Sequence, residues 1–415
     1  MYVGGANYEI QDEDTYRPST ELEIADLDDF EYITGPSTFG LFRSNKLNCT
    51  CITFGDVHVC THGNFQTDKD KKEIYLPEYL NLLFKKYPNK QFDLLVEFKY
   101  TKKVFNTGYQ CSVLNNTFRL FRDCFTNLRD KTSCNSKWPN VRFHAIDIRY
   151  WYEEEIIDND DMRLLLKQLD EVIPLFQHYK NFIIRETNEN PEYNFKNIFD
   201  HFSKYMSILF HILNSNNITT AQNFIDMLKK NYKFNKYSTL PEINSIMEYI
   251  KMRMYMLLNK HNFYEEYMLL KNNDYIGGLK FVNFLNILDI IVLDVGIIIF
   301  DYYMLVRFSK ILNYDSGSGK NMIFLAGNAH IERLELYLLN KRYGFDQVTI
   351  QNKERIKRSE YFRMRDNLLI LLKFIDSSVN YAQDVVYNCE EISKIMGQAN
   401  NLALSKLSDF LPNVT

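Results

Sequence analysis

Apolar and polar positions alternate along the chain so that one pattern occurs twice: a short apolar run, a glycine, then helical spacing. In the later copy, Met322 to Ala326 reads as a buried strand behind the Gly/Ser-rich stretch Asp315 to Asn321. Gly327-Asn328-Ala329-His330 follows as a turn at its C-terminal end. Ile331 to Arg342 then carries Ile331, Leu334, Tyr337 and Leu338 at helical spacing, stopping at Gly344. In the earlier copy Cys51 to Phe54 is the strand, Gly55-Asp56-Val57-His58 the turn, and a helix is expected from about Ile74 to Tyr87. Each copy continues into a second strand, Phe92 to Phe98 in one case and Phe345 to Ile350 in the other.

The remaining pattern fills in around these units. Val141 to Arg149 alternates like a further strand and ends in Asp147-x-Arg149, while Glu97 falls near the end of the Phe92 strand. The Cys- and Asn-containing stretch 101–138 reads as an irregular lid or elaborated loop. From Asp158 to about Asp274 helical stripes dominate, and His201 and His211 within them read as packing or surface residues. Residues 281–313 form one strongly apolar helix. Asp289 and Asp294 interrupt it, which favours a buried helix over a membrane span. Asp301 and Arg307 within it are six residues apart, so they face different ways.

The expected fold is therefore α/β, with a central mixed sheet built from two pseudo-repeat halves, flanked by helices and carrying a large helical insertion. The expected division is an acidic arm (1–40), a first half (41–155), a helical insertion or cap (156–275), a second half (276–350) and C-terminal helices (351–415). Pseudo-twofold packing of the halves would bring both Gly-x-x-His turns to one edge of the sheet, where ligands of open α/β sheets bind.

Composition changes this picture little. With 415 residues, a net charge of -4 and 25% charged residues, the chain can bury a large core, and no basic field points to nucleic acid. Its Phe, Tyr, Asn, Ile and Lys content resembles translation from an AT-rich genome. Seven cysteines without a Cys-x-x-Cys pair suggest reduced structural thiols rather than a zinc ribbon. The N-terminus lacks the pattern of a secretory signal.

The chemistry-bearing residues gathered at the expected edge are His58, His330, Asp56, Glu97, Asp147, Arg149 and Arg307. His58, Glu97 and His330 are a three-ligand set for a divalent cation (Mn, Co or Zn) with a position left open for water. The same residues also suit metal-free acid–base work. Glu97 would orient or deprotonate water, a histidine would carry the proton, and Arg149 would stabilise an oxyanion. A purely structural network closing the strand ends is the third possibility.

These residues resemble a known group. Gly55-Asp56-Val57-His58, Asp93 to Glu97, Asp147-x-Arg149, Asp301-x-Tyr303-x-Leu305-x-Arg307 and Gly327-Asn328-Ala329-His330 look like motifs of the Tiki/TraB/GumN superfamily. That superfamily is related to the erythromycin-esterase and ChaN-like proteins, and the likeness is to its branch in large DNA viruses. It covers about 50–150 and 280–350. It implies hydrolysis, metal-dependent for peptides and metal-free for lactone esters, and the residues read above make His58, Glu97, Arg149 and His330 the catalytic set. Asp56, Asp147, Arg307 and Asn328 would contact substrate, and Gly55 and Gly327 would make the turns. The viral likeness also implies a site in the host cytoplasm or virion with virion proteins as partners, while the helix-rich chain itself would allow pairing with a second copy. A non-catalytic virion or interaction protein on the same fold, and a haem binder of ChaN type, are the alternatives it leaves.

Overall fold

A computed structural model describes residues 30, 32–36, 38–45, 47–56, 70, 73–99, 113–126, 137–149, 160–213, 215–230, 243–314, 320–338 and 345–352. The acidic arm as far as residue 29, His58 and the expected C-terminal helices beyond 352 lie outside them.

The protein is a mixed α/β fold. In chain order its strands are β1 (Tyr32–Thr34), β2 (Thr38–Ser44), β3 (Cys49–Asp56), β4 (Glu73–Tyr75), β5 (Phe92–Lys99), β6 (Val141–Asp147), β7 (Lys320–Gly327) and β8 (Asp346–Asn352). A six-stranded sheet runs β6-β5-β7-β3-β2-β8, and β1 pairs with β4 in a separate parallel ribbon. Pairing is parallel across β6, β5, β7 and β3, and antiparallel on both sides of β2.

The two Gly-x-x-His units interleave. β3 is followed by helix α1 (Leu76–Lys86) and crosses to β5, while β7 lies between those two strands. β7 is followed by the next helix, Asn328–Leu338, and crosses the other way to β8. Crossovers between parallel strands are right-handed, so two connections leaving neighbouring strands in opposite directions must cover opposite faces. They do. Leu76, Leu80, Leu83 and Phe84 of α1 pack with Phe54, Ile323 and Leu325, whereas Thr53, on the alternate face of β3, meets Glu335 of the later helix. β3 and β7 therefore flank a topological switch point, with Asp56 opposite Gly327 in the register.

Local sequence explains the pieces. Met322 to Ala326 is wholly buried because a central parallel strand is covered on both faces. α1 begins with a proline in its first turn and ends with Lys85 and Lys86, which suit its positive and negative ends. The stretch expected to be an irregular lid instead carries two helices, α2 (Val113–Leu120) and α3 (Arg122–Thr126). Phe118 of α2, Phe125 of α3 and Phe121 between them join Phe98, Trp138 and Phe143 in the core, so apolar burial outweighs the polar content that suggested a loop.

Between β6 and β7 the described chain is helical: α4 (Asp160–Glu189), α5 (Lys196–Tyr205), α6 (Ser207–Leu213), α7 (Asn217–Lys230), α8 (Ile243–Lys260), α9 (Phe263–Lys271) and α10 (Gly278–Tyr314). His201 and His211 are exposed there, as expected. α10 has 37 residues, about 55 Å at 1.5 Å each. It is long and apolar enough to cross a membrane, yet half of its most apolar window is buried. Asp289 pairs with Lys180 of α4 at 3.2 Å, and Asp301 lies fully inside. α11 (Asn328–Leu338) closes the site.

The expectation of reduced thiols needs one correction. Cys49 and Cys51 are free, but Cys124 on α3 is disulfide-bonded.

Candidate functional site

The C-terminal ends of β3, β5, β6 and β7 bring Asp56, Glu97, Asp147, Arg149 and His330 to one edge. Glu97 is the sixth residue of β5 and Asp147 the last of β6, with Arg149 two positions on. His330 lies in the first turn of α11, because β7 passes directly into the helix at Asn328 with no separate turn. His58 belongs to 57–69, outside the described residues.

Glu97 is fixed by two donors. Nη2 of Arg149 donates to its Oε1 at 2.7 Å, and the amide of Gly327 donates to its Oε2 at 2.7 Å. Arg149 is in turn held by Asp147, through its own backbone amide at 3.1 Å and its Nε and Nη2 at 2.8 Å. Its guanidinium lies over the Phe300 ring, 5.3 Å from the centroid. Its side chain remains a quarter exposed, so this is the part of the cluster that solvent reaches.

His330 faces the same carboxylate oxygen that Arg149 bonds. Its Nε2 is 3.7 Å from Glu97 Oε1, too far for a direct hydrogen bond. Phe300 packs against the ring at 4.0 Å between centroids. Nδ1 meets Asp301 Oδ1 of α10 at 2.5 Å. Asp301 Oδ2 takes Nε of Arg333, also at 2.5 Å, and Nη1 of Arg253 from α8. Burial pushes the Asp301 carboxyl up, but the Arg333 and Arg253 guanidiniums and His330 outweigh it and hold it well below the usual range.

Arg307 is elsewhere. It contacts His144 Nδ1 at 3.0 Å, while His144 Nε2 and the Arg142 guanidinium both bind Asp93. As expected, Asp301 and Arg307 do not pair, but it is Asp301 that reaches the edge. Asn328 accepts from the Thr38 hydroxyl at 3.1 Å and sits over Gly55, where a Cβ would come within 2.0 Å of its Oδ1. Asp56 is buried at the end of β3. The thiols on that strand are no nucleophiles, since burial pushes Cys49 up to about 12 and Cys51 well above its ordinary value.

Arg253, Arg333 and His144 were missed from the sequence. Arg333 had a signal, because it stands three residues after His330 on one helix face. Arg253 had none.

The metal set expected from the sequence depends on His58. Among the described residues no group of three His, Cys, Asp or Glu side chains is placed to hold an ion. Glu97 Oε1 and His330 Nε2 offer two donor atoms, fewer than the three protein ligands of a catalytic cation. The Arg149 guanidinium already bonds the oxygen that would face the cation.

Compared with protein-family models, curated proteins and solved structures, the chain matches none.

Proposed function

We propose that the protein is a hydrolase of ester or peptide bonds, working by metal-free acid–base chemistry at the β3/β7 switch point. The observation that carries this reading is the facing pair: Glu97 Oε1 and His330 Nε2, 3.7 Å apart, each held from behind by buried partners. A water held between the two would orient on the carboxylate and give its proton to the imidazole. Its oxygen bonds to the substrate carbonyl carbon, and the carbonyl oxygen takes up the negative charge beside Arg149. Collapse of the tetrahedral species breaks the bond to the leaving alkoxide or amine, which takes the proton back from Nε2. Resemblance to the Tiki/TraB/GumN group, in its branch from large DNA viruses, supports the same class of reaction.

The test is hydrolysis of a panel of p-nitrophenyl esters, lactones and unfolded peptides by purified protein in chelator. Turnover that falls at least 100-fold in His330→Gln, with the fold intact by circular dichroism, is the expected result. Failure on every substrate, both in chelator and with Mn, Co or Zn added, or full activity in the variant, overturns the reading and leaves the cluster a structural clasp in a virion or interaction protein.

A further inference from the structure

We infer that Asp301 is a positioning residue that keeps the His330 proton on Nδ1 and the Nε2 lone pair aimed at Glu97, and that Arg253 and Arg333 enforce this. The inference takes its catalytic meaning from the hydrolase reading above, while the proton placement itself stands on geometry alone.

A carboxylate oxygen and a ring nitrogen 2.5 Å apart must share a proton, since two bare acceptors would repel at that distance. Arg333 Nη2 also lies 3.0 Å from Nδ1, but a guanidinium has only donors. It cannot satisfy a nitrogen that already carries hydrogen, so that contact is the fork passing beside the ring on its way to Asp301. In the neutral ring Nε2 is then the acceptor, facing Glu97.

The orientation of the carboxylate is dictated by its other oxygen. Oδ2 receives two N–H donors, from Arg333 on α11 and Arg253 on α8. That forces a definite outcome when Asp301 becomes asparagine. The amide oxygen must stay with the guanidiniums, so the NH2 group turns to His330 Nδ1 and makes it an acceptor. The proton then moves to Nε2, where it points at Glu97 and removes the lone pair that takes the proton from water. An isosteric change thus inverts a tautomer. Arg253 and Asp301 both belong to the helices between β6 and β7, so that helical block reaches His330 through this ion-paired carboxylate as well as through Phe300.

The experiment is nitrogen NMR of the full chain labelled in its eight histidines, at pH 9, with His330 assigned by its loss in His330→Gln. In the wild type, Nδ1 is expected at a protonated and Nε2 at an unprotonated shift. Asp301→Asn is expected to exchange the two and to lower kcat with KM little changed. A proton on Nε2 in the wild type overturns the inference, even should Asp301→Asn fail to fold. So does an Asp301→Asn protein that folds and keeps the wild-type tautomer. A wild-type Nδ1 proton that exchanges as described, in a protein with no hydrolysis, upholds the placement and sinks the hydrolase reading alone.

Discussion

Thr53, in the middle of β3, donates its hydroxyl hydrogen bond to Oε1 of Glu335 on α11 at 2.6 Å, across 282 residues of sequence. Thr38 and Asn328 make a second such link at 3.1 Å. The helix that presents His330 is thereby seated on strands of the other half of the chain.

Gly55 is where that seating is tightest. A methyl group there would meet Asn328 Oδ1 at 2.0 Å and Thr38 Oγ1 at 2.2 Å, and the two are hydrogen-bonded to each other. Gly55→Ala should cost about 1–3 kcal/mol by overpacking. Adding Asn328→Ala should recover part of it. Urea denaturation of both variants checks this, and an additive pair of effects would show that Asn328 is not the obstacle.

Asp301 should be among the most sensitive positions in the protein. Removing it leaves two guanidiniums in the interior without their carboxylate. Asp301→Ala is expected to lower the unfolding free energy by about 3–5 kcal/mol. Replacing all three, Asp301→Leu with Arg253→Met and Arg333→Met, should restore much of the loss, because apolar groups fill a buried site without uncompensated charge. Thermal unfolding of the single and triple variants decides it.

His144 gives the fold an acid-sensitive point. Burial pushes its pKa down; the Asp93 hydrogen bond opposes this, and the charge of Arg307 reinforces it. Arg142 is the remaining charged neighbour, and Asp93 is itself held low by His144 and Arg142 despite its burial. With the folded pKa below the unfolded one, the unfolded chain binds more protons, so stability rises with pH across the gap. It should be complete above about 6.5 and fall as pH drops below that value. His144→Gln should flatten the stability profile below about pH 6.5. An unchanged slope would place the sensitivity elsewhere.

Chelation separates the two versions of the proposed chemistry. Arg149 already bonds Glu97 Oε1, so hydrolysis should survive prolonged treatment with EDTA, and Mn, Co or Zn should not raise it. Loss in EDTA with recovery on adding one of these cations, abolished in His58→Ala, would restore the ligand set His58, Glu97 and His330.

The sequence made the centre of the sheet legible because parallel strands buried on both faces must be apolar throughout, as in Met322 to Ala326. It did not reveal β2, whose Thr38, Gly40, Arg43 and Ser44 break the apolar run, nor α2, where Asn115 and Asn116 stand amid the apolar positions. Glu97, Arg149 and His330 could be picked out because each lies near or just after the C-terminal end of a strand. The partners that fix them could not. Arg253 reaches Asp301 across 48 residues, and nothing local to either marks the pairing.

β7 fills the lane between β3 and β5, and the chain does not reach it until residue 320. During synthesis β3, β5 and β6 emerge early, yet β3 and β5 have nothing to hydrogen-bond to each other through. The long helical stretch must come first, and only then does the missing strand arrive to join the two sides. Such distant pairing slows folding and leaves strand edges open meanwhile. The site is born in the same event, since Gly327 and His330 come in with that strand and its helix: the protein cannot acquire its facing pair before it acquires its fold.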